Sequence, residues 1–193
     1  DVCSSDLIGV NIAVEELRAQ FDAIVLTGGA TRPRDLNVPG RELKGIHFAM
    51  EYLTQANKRC EGDHVPEAEA ISAKGRHVII IGGGDTGADC LGTAHRQGAR
   101  SVTQLEIMPA PPEARAAGNP WPQFAMVMKV TSAHEEGGER LYSVNTERFL
   151  DDGAGNVRAL LIHEVEMRDG RFVKVEGTDR ELQADRKSTR LNS

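Results

Sequence analysis

The residues of this 193-residue chain best suited to chemistry are three glycines at the spacing of a phosphate-binding turn. In the stretch HVIIIGGGDTGADC, Gly82, Gly84 and Gly87 follow an apolar run and precede a helical pattern. In a G-x-G-x-x-G turn the first glycine permits the tight turn, the second lets a pyrophosphate approach the backbone, and the third lets the helix pack on the strand. The helix N-terminus adds unpaired N–H groups and partial positive charge. The expected dinucleotide contacts are Gly82, Gly83, Gly84, Asp85, Thr86 and Gly87.

An acidic residue stands where such a motif needs one to recognise a ribose. Glu106 ends the next expected strand, about 20 residues after the turn, and this context favours a binding turn over a purely structural one. A carboxylate there can accept hydrogen bonds from both ribose hydroxyls and would repel the 2′-phosphate of NADP. LEIMPAPP contains no arginine before Arg115, so the residues favour NADH. NADPH bound through Arg115, and a Glu106 that is merely solvated, remain open as alternatives.

The elements around the turn form the clearest unit of the chain. We expect a strand at His77–Ile81, a helix over 88–97 closed by Gly98 at its C′ position, and a second strand over 101–106. A right-handed crossover makes the two strands parallel neighbours in a βαβ unit. Pro109–Pro122 is rich in proline and is expected to be irregular.

The segment before this unit contains a second strand-and-glycine pattern. Ala23–Leu26 is a continuous apolar run that ends in two glycines, which is typical of a buried parallel strand followed by a turn. A helical turn is expected at Val14–Gln20 and a helix within residues 46–60. The polar stretch Asp63–Gly75 is the best candidate for a domain boundary.

The last third of the chain has a different pattern. Strand-like runs cover residues 139–150, 157–168 and 171–178, and Asp169 and Gly170 form a strong hairpin signal between the last two. We therefore expect an antiparallel meander here.

Composition narrows the possible partners and cofactors. Lys and Arg number 23 against 29 Asp and Glu, without a basic stripe, which argues against nucleic acid as a partner. Cys3, Cys60 and Cys90 are too few and too widely spaced for a disulfide framework or a metal site, and Cys90 is expected to pack as a small apolar residue. No run has the length of a membrane span and no secretory signal is visible, so we expect a cytoplasmic protein.

One cluster of titratable residues could suggest acid–base catalysis. His134, Glu135 and Glu136 are adjacent, but we prefer the interpretation that they form a solvated face of a helix or loop. The sequence therefore nominates no catalytic side chain and no metal ligand.

Several separate motifs, taken together, resemble one protein family. The stretches GGGDTGADCLGTAHRQGARSVTQLEIMPAPPE, NPWPQ and HEEGGER are similar to the small (β) subunit of glutamate synthase, or to the equivalent C-terminal region of the single-chain NADH-dependent enzymes. The upstream stretch FDAIVLTGGATRPRDLNVPGRELKGIHFAMEYL resembles the same family.

The resemblance implies an α/β fold with a Rossmann-like domain inserted in an FAD-binding domain. Residues 74–185 would be the NAD(P)H-binding domain, a parallel sheet with the antiparallel β-meander as its crossover, and residues 8–73 a partial segment of the FAD-binding domain. In such flavoproteins a strand ending in threonine and glycine lies against the FAD. By that resemblance Thr27, Gly28 and Gly29 inherit an FAD contact.

The resemblance also implies an electron path and a partner. In the family, NAD(P)H reduces FAD, and iron–sulfur clusters carry the electrons to FMN on the large (α) subunit. There 2-oxoglutarate and glutamine-derived ammonia yield glutamate. The hydride chemistry belongs to the cofactors, so no acid, base or nucleophile is required of this chain. The glycine motif of the FAD domain and the cluster cysteines are absent from the sequence, which is therefore expected to be an internal fragment.

Residues 1–7 and 186–193 resemble translated sequencing adapters and are expected to be non-native, with ordinary polar termini as the alternative. A flavoprotein subunit that serves pyrimidine reduction or ferredoxin, or a non-enzymatic nucleotide sensor, stays open. A thioredoxin-reductase-like enzyme is disfavoured because Cys90 has no C-x-x-C partner.

Overall fold

The computed structural model describes residues 7–27 and 32–184. The chain divides into two compact units, Asp1–Pro33 and Arg34–Ser193, each of which is considered by itself. The predicted non-native ends fall almost entirely outside the described residues and stay predictions.

Within its described residues, the first unit contains one helix. Helix α1 spans Val14–Gln20, as predicted, and the acidic residues of its first turn suit the positive end of the helix dipole. The predicted strand at Ala23–Leu26 is wrong: no strand forms there, and Val25 and Leu26 are 83% and 89% exposed. A parallel strand needs ladder partners for its backbone groups, and no described residue pairs with this run. Thr27 is exposed, while Gly28 and Gly29 lie outside the described residues.

The second unit contains a parallel sheet and an antiparallel sheet. Its helices and strands are α2 (Ala49–Cys60), β1 (His77–Ile81), α3 (Asp85–Arg96), β2 (Ser101–Leu105), α4 (Ser132–Glu135), β3 (Glu139–Leu141), β4 (Val144–Asp151), β5 (Val157–Arg168), β6 (Arg171–Lys174) and β7 (Arg180–Gln183), with a 3-10 turn at Glu67–Glu69.

The parallel sheet has the order β1-β2-β3. Ile81 is in register with Leu105, and Leu105 with Leu141, so the carboxyl ends of all three strands meet at one edge. The predicted βαβ unit is confirmed by the parallel pairing of β1 with β2. The predicted single strand over 139–150 is divided: its first residues form β3, and a turn at Ser143 with positive φ (54°) precedes β4.

One apolar core joins α2 and α3 to the parallel sheet. Leu91 of α3 is fully buried and packs with Tyr52 of α2 and Val102 of β2. Burying a leucine side chain stabilises a fold by about 1.5–3 kcal/mol. Helix α2 therefore shares a core with the parallel sheet, and no compact unit ends at residue 73. The assignment of residues 8–73 to an FAD-binding domain stays a prediction about the longer protein.

The antiparallel sheet confirms the expected meander and its hairpin. Strand β5 pairs with β4, β6 and β7. Arg168 pairs with Arg171 across Asp169 and Gly170, whose φ angles of 48° and 75° are those of a tight two-residue turn. Residues 109–122 contain no helix or strand, as predicted. Within the described residues, no helix combines the length and apolar character needed to cross a membrane.

Candidate functional site

The glycine turn leaves β1 at the carboxyl edge of the parallel sheet. Gly82 has a φ of +125°, a conformation that side chains disfavour, and residues 82–86 are exposed. Helix α3 begins at Asp85 rather than at the predicted residue 88, because Gly84 with φ −79° and ψ −179° serves as its N-cap. Asp85, Thr86 and Gly87 therefore form the first helical turn, whose N–H groups have no intrahelical acceptors.

Gly84 is open on the side where a side chain would project. An added Cβ would meet no atom within 4 Å, and no side chain caps the N-terminus of α3. The fold itself therefore gives no packing reason for a glycine here. The free space and the unpaired N–H groups suit a bound anion such as a pyrophosphate.

Gly87, in contrast, is a packing glycine. An added Cβ would overlap the carbonyl oxygen of Gly82 and would lie 2.6 Å from Nε2 of Gln104. The absence of a side chain at this position lets α3 lie against the end of β1, as the motif predicts.

Glu106 lies beside the turn, as predicted, but its carboxylate makes contacts that were not predicted. The Gly83 N–H donates to Oε2 of Glu106 at 2.8 Å, and the Met108 N–H donates to Oε1 at 2.9 Å. The side chain is half-buried, which argues against a merely solvated residue at the end of the strand. Glu106 thus accepts a hydrogen bond from the glycine turn with one carboxylate oxygen and one from the following loop with the other.

Gln104 is a site residue that the sequence analysis missed. Its side chain is 2% exposed, and Nε2 donates to the Gly82 carbonyl oxygen at 2.9 Å. The available signal was the position of a glutamine within the strand, two residues before Glu106 and so on the same face of the sheet.

The expectation of a solvated face at His134, Glu135 and Glu136 is wrong for His134. The imidazole is half-buried, and Nε2 lies 3.3 Å from Oε1 of Gln104. Glu135 is exposed, and Glu136 accepts a hydrogen bond from Arg96 at 2.6 Å. The three side chains thus have different surroundings, because α4 is one short turn that packs against α3, and only His134 reaches Gln104 of the sheet.

Arg115, the candidate for a 2′-phosphate contact, is engaged within its own loop. Its Nη1 donates to the carbonyl oxygens of Asn119 and Gln123 at 2.9 and 3.0 Å.

Beside Gly82 and Glu106, a shallow crevice lined mainly by apolar side chains such as Leu36 and Val144 opens between the sheets.

The described cysteines are free thiols. Cys90 is buried, as predicted, and burial raises the pKa of its thiol to about 11. Cys60 is exposed and not joined to it. A buried thiol with a raised pKa is a poor nucleophile, so Cys90 is a packing residue.

A cluster with the donor types of a metal site lies on the antiparallel sheet. Glu147, His163 and Asp179 bring potential ligand atoms within 4.8 Å of one another. The ammonium of Lys174 lies 2.8 Å from Glu147 and 2.6 Å from Asp179. Hydrogen bonds to Asp179 and Glu147 raise the pKa of Lys174, and the ammonium lowers the pKa of both carboxyls. The protein thus supplies its own cation, and the cluster is an ion-pair network.

Comparison with protein families gives the class of this protein. Residues 4–128 match the family model described as pyridine nucleotide-disulphide oxidoreductase, and the chain belongs to that family. Membership implies FAD and a nicotinamide dinucleotide as cofactors.

Within that class, the chain is similar to glutamate synthases. The glutamate synthase [NADPH] small chain of Mycobacterium tuberculosis is 60% identical over 181 residues, which cover 92% of this chain and 37% of that protein. The glutamate synthase [NADH] of Schizosaccharomyces pombe is 46% identical over 168 residues, which cover 83% of this chain and 8% of that protein. The chain thus spans little more than a third of the first relative.

A solved structure supports the fold. FprA from Mycobacterium tuberculosis in complex with NADPH matches with a TM-score of 0.54 and 15% identity, over 93% of this chain and 51% of that one. At this identity the match concerns the fold alone.

Proposed function

We propose that this chain is the nicotinamide-dinucleotide-binding part of a glutamate synthase small subunit. The observation that carries the proposal is 60% identity over 181 residues to a glutamate synthase small chain. In the complete enzyme, NAD(P)H would reduce FAD, and iron–sulfur clusters and FMN outside this chain would pass the electrons on. The large subunit would then form L-glutamate from L-glutamine and 2-oxoglutarate, and we place this reaction in the cytoplasm.

The structure supports a pyrophosphate site at the glycine turn. Gly84 leaves open space in front of the first turn of α3, and Gly87 brings that helix close to β1. The residues proposed to contact the dinucleotide remain 82–87 and Glu106. For the FAD, the contact proposed from the resemblance rests on Thr27, Gly28 and Gly29.

The chain's own contribution to the reaction is positioning. FAD and the nicotinamide, when bound, supply the hydride chemistry. The backbone N–H groups at the start of α3 would hold the pyrophosphate, and Glu106 would hold the shape of the turn. Such positioning lowers the entropic cost of bringing two reacting rings together.

The choice between NADH and NADPH stays a proposal in favour of NADH. The two relatives named above carry different dinucleotides in their names. A carboxylate next to the turn would repel a 2′-phosphate, and Arg115 is hydrogen-bonded within its own loop.

Replacing Glu106 with alanine is expected to weaken binding of NADH by about tenfold, the equivalent of one charge-assisted hydrogen bond, and binding of NADPH by less, because repulsion of its 2′-phosphate is lost at the same time. Both should weaken because the Gly83 and Met108 N–H groups lose their acceptor. Fluorescence titrations of wild type and variant at one salt concentration measure the effect, with the exposed Glu113→Ala as the control. An unchanged affinity for NADH would contradict a role of Glu106 in dinucleotide binding.

A chimaera tests the activity itself. Residues 8–184 of this chain would replace the aligned segment of the Mycobacterium tuberculosis small chain, which would be assayed for NAD(P)H-dependent dye reduction and, with the large subunit, for glutamate formation. We expect both activities to survive and a Gly84→Ala chimaera to need at least tenfold more NAD(P)H for each of them. A chimaera that binds FAD but does not oxidise NAD(P)H would contradict the proposal. Dye reduction without glutamate formation would favour another flavoprotein subunit.

A further inference from the structure

Both ends of one peptide group in the glycine turn are held by side chains from the end of β2. The Gly82 carbonyl accepts from Gln104 at 2.9 Å, and the Gly83 N–H donates to Glu106 at 2.8 Å. These two backbone groups belong to the same planar peptide and point in opposite directions. The orientation of the Gly82–Gly83 peptide is therefore fixed from two sides.

The amide of Gln104 can do this in one orientation only. A carbonyl oxygen only accepts, so the NH2 group of Gln104 must face Gly82, and Oε1 must face away from it. On that far side lies Nε2 of His134, 3.3 Å from Oε1. Gln104 is almost fully buried, so these two partners decide its orientation.

The protonation of His134 agrees with this orientation. The backbone N–H of Thr131 donates to Nδ1 of His134 at 3.2 Å, so Nδ1 is an acceptor and the ring proton is on Nε2. Nε2–H then donates to Oε1 of Gln104. Burial, and next the charge of Arg140, lower the pKa of His134, which keeps the ring neutral at neutral pH.

The fold brings His134 to this place by close packing of short elements. An added Cβ at Gly92 of α3 would lie 3.0 Å from the Cβ of Ala133, so a glycine lets α4 approach α3. Gly137 and Gly138, with φ of 126° and 95°, then turn the chain into β3, which pairs with β2.

We propose that Gln104 and His134 are positioning residues for dinucleotide binding, which set the orientation of the Gly82–Gly83 peptide through the hydrogen-bonded series Thr131, His134, Gln104, Gly82. This inference rests on the proposed function, in that the turn is the dinucleotide site. In the proposed complex, neither side chain contacts the dinucleotide. Together with Glu106 they keep the N–H groups that follow Gly83 turned toward the bound phosphates.

Three variants of the full chain test the proposal. Gln104→Leu keeps the size and removes both hydrogen bonds. His134→Asn keeps an acceptor for Thr131 but cannot reach Gln104. His134→Gln presents an amide N–H that can reach Gln104 and serves as the rescue variant. Glu135→Gln changes an exposed neighbour and is the control.

Two measurements are made on each variant: the NADH dissociation constant and the hydrogen-exchange rate of the Gly83 amide, whose own acceptor is never changed. We expect Gln104→Leu to raise both quantities by about tenfold and His134→Asn to raise them by about threefold. His134→Gln and Glu135→Gln should stay within about twofold of wild type.

Unchanged exchange at Gly83 in both Gln104→Leu and His134→Asn would overturn the proposal. If Gln104→Leu does not fold, the two His134 variants decide the matter. A folded wild type that does not bind NADH would refute the proposed function, and the exchange rates would still test the series.

Discussion

Replacing Gly84 with alanine is expected to weaken NADH binding tenfold or more while the melting temperature stays within about 3 °C of wild type. The backbone at Gly84 has φ −79° and ψ −179°, which any residue adopts, and an added Cβ would meet no atom within 4 Å. Alanine lowers the conformational entropy of the unfolded chain, which stabilises the protein by about 0.4–1 kcal/mol. It is also a poorer N-cap than glycine, which destabilises helix α3, so the two effects nearly cancel. A bound pyrophosphate, in contrast, would meet the new methyl group.

Thermal melting and a titration by nicotinamide fluorescence, both on the full chain, measure the two effects of Gly84→Ala separately. Gly118→Ala is the matched control, because an added Cβ there also meets nothing within 4 Å and the residue lies in the irregular loop. Equal NADH affinity for wild type and Gly84→Ala would mean that no ligand approaches the backbone at this glycine.

Gly87→Ala is expected to destabilise the protein by about 2 kcal/mol and to abolish measurable NADH binding. Its Cβ would overlap the Gly82 carbonyl oxygen and would lie 2.6 Å from Gln104 Nε2, so α3 must move away from β1. Overpacking of this kind costs about 1–3 kcal/mol. Because the overlap involves a backbone atom, we expect a cost of about 3 kcal/mol, the upper end of this range. The higher helix propensity of alanine offsets about 1 kcal/mol of that cost.

Denaturant unfolding of wild type, Gly84→Ala and Gly87→Ala gives the ranking that the packing predicts, with only the last variant destabilised. A Gly87→Ala protein as stable as wild type would show that α3 can shift away from β1 at no cost, and that the third glycine is not a packing residue.

The unit from β1 to β2 could be predicted because its signals are local. An apolar run, glycines at fixed offsets, a helical period and Gly98 after the helix each depend on neighbouring residues only, and the hairpin at Asp169 and Gly170 is of the same kind. The start of α3 was placed three residues late because Gly84 was assigned to the turn alone. A glycine in an ordinary extended conformation can equally serve as an N-cap.

Two further errors concern strand pairing between residues that are far apart in the sequence. Strand β3 joins the parallel sheet after an excursion of more than thirty residues from β2, and its short charged sequence Glu139–Leu141 gives no local sign of this. Ala23–Leu26 shows the opposite error, a strong local strand pattern without a ladder partner among the described residues.

The candidate site was predicted in outline but not in its supporting contacts. The positions of Gly84, Gly87 and Glu106 follow from the motif and from the end of β2. The bonds of Gln104 and His134 depend on α4 packing against α3, which no residue spacing reveals. Supporting hydrogen bonds of this kind are therefore found from the structure rather than from the sequence.

The most direct test of the central claim, that the glycine turn holds the dinucleotide, is an amide-resolved NMR titration of the full chain with NADH. We predict saturable shifts that are largest at the backbone N–H groups of Gly83, Gly84, Asp85 and Thr86, where the turn meets the start of α3. A folded chain in which these amides do not respond, or in which NADH saturates a different set of residues, would contradict the claim.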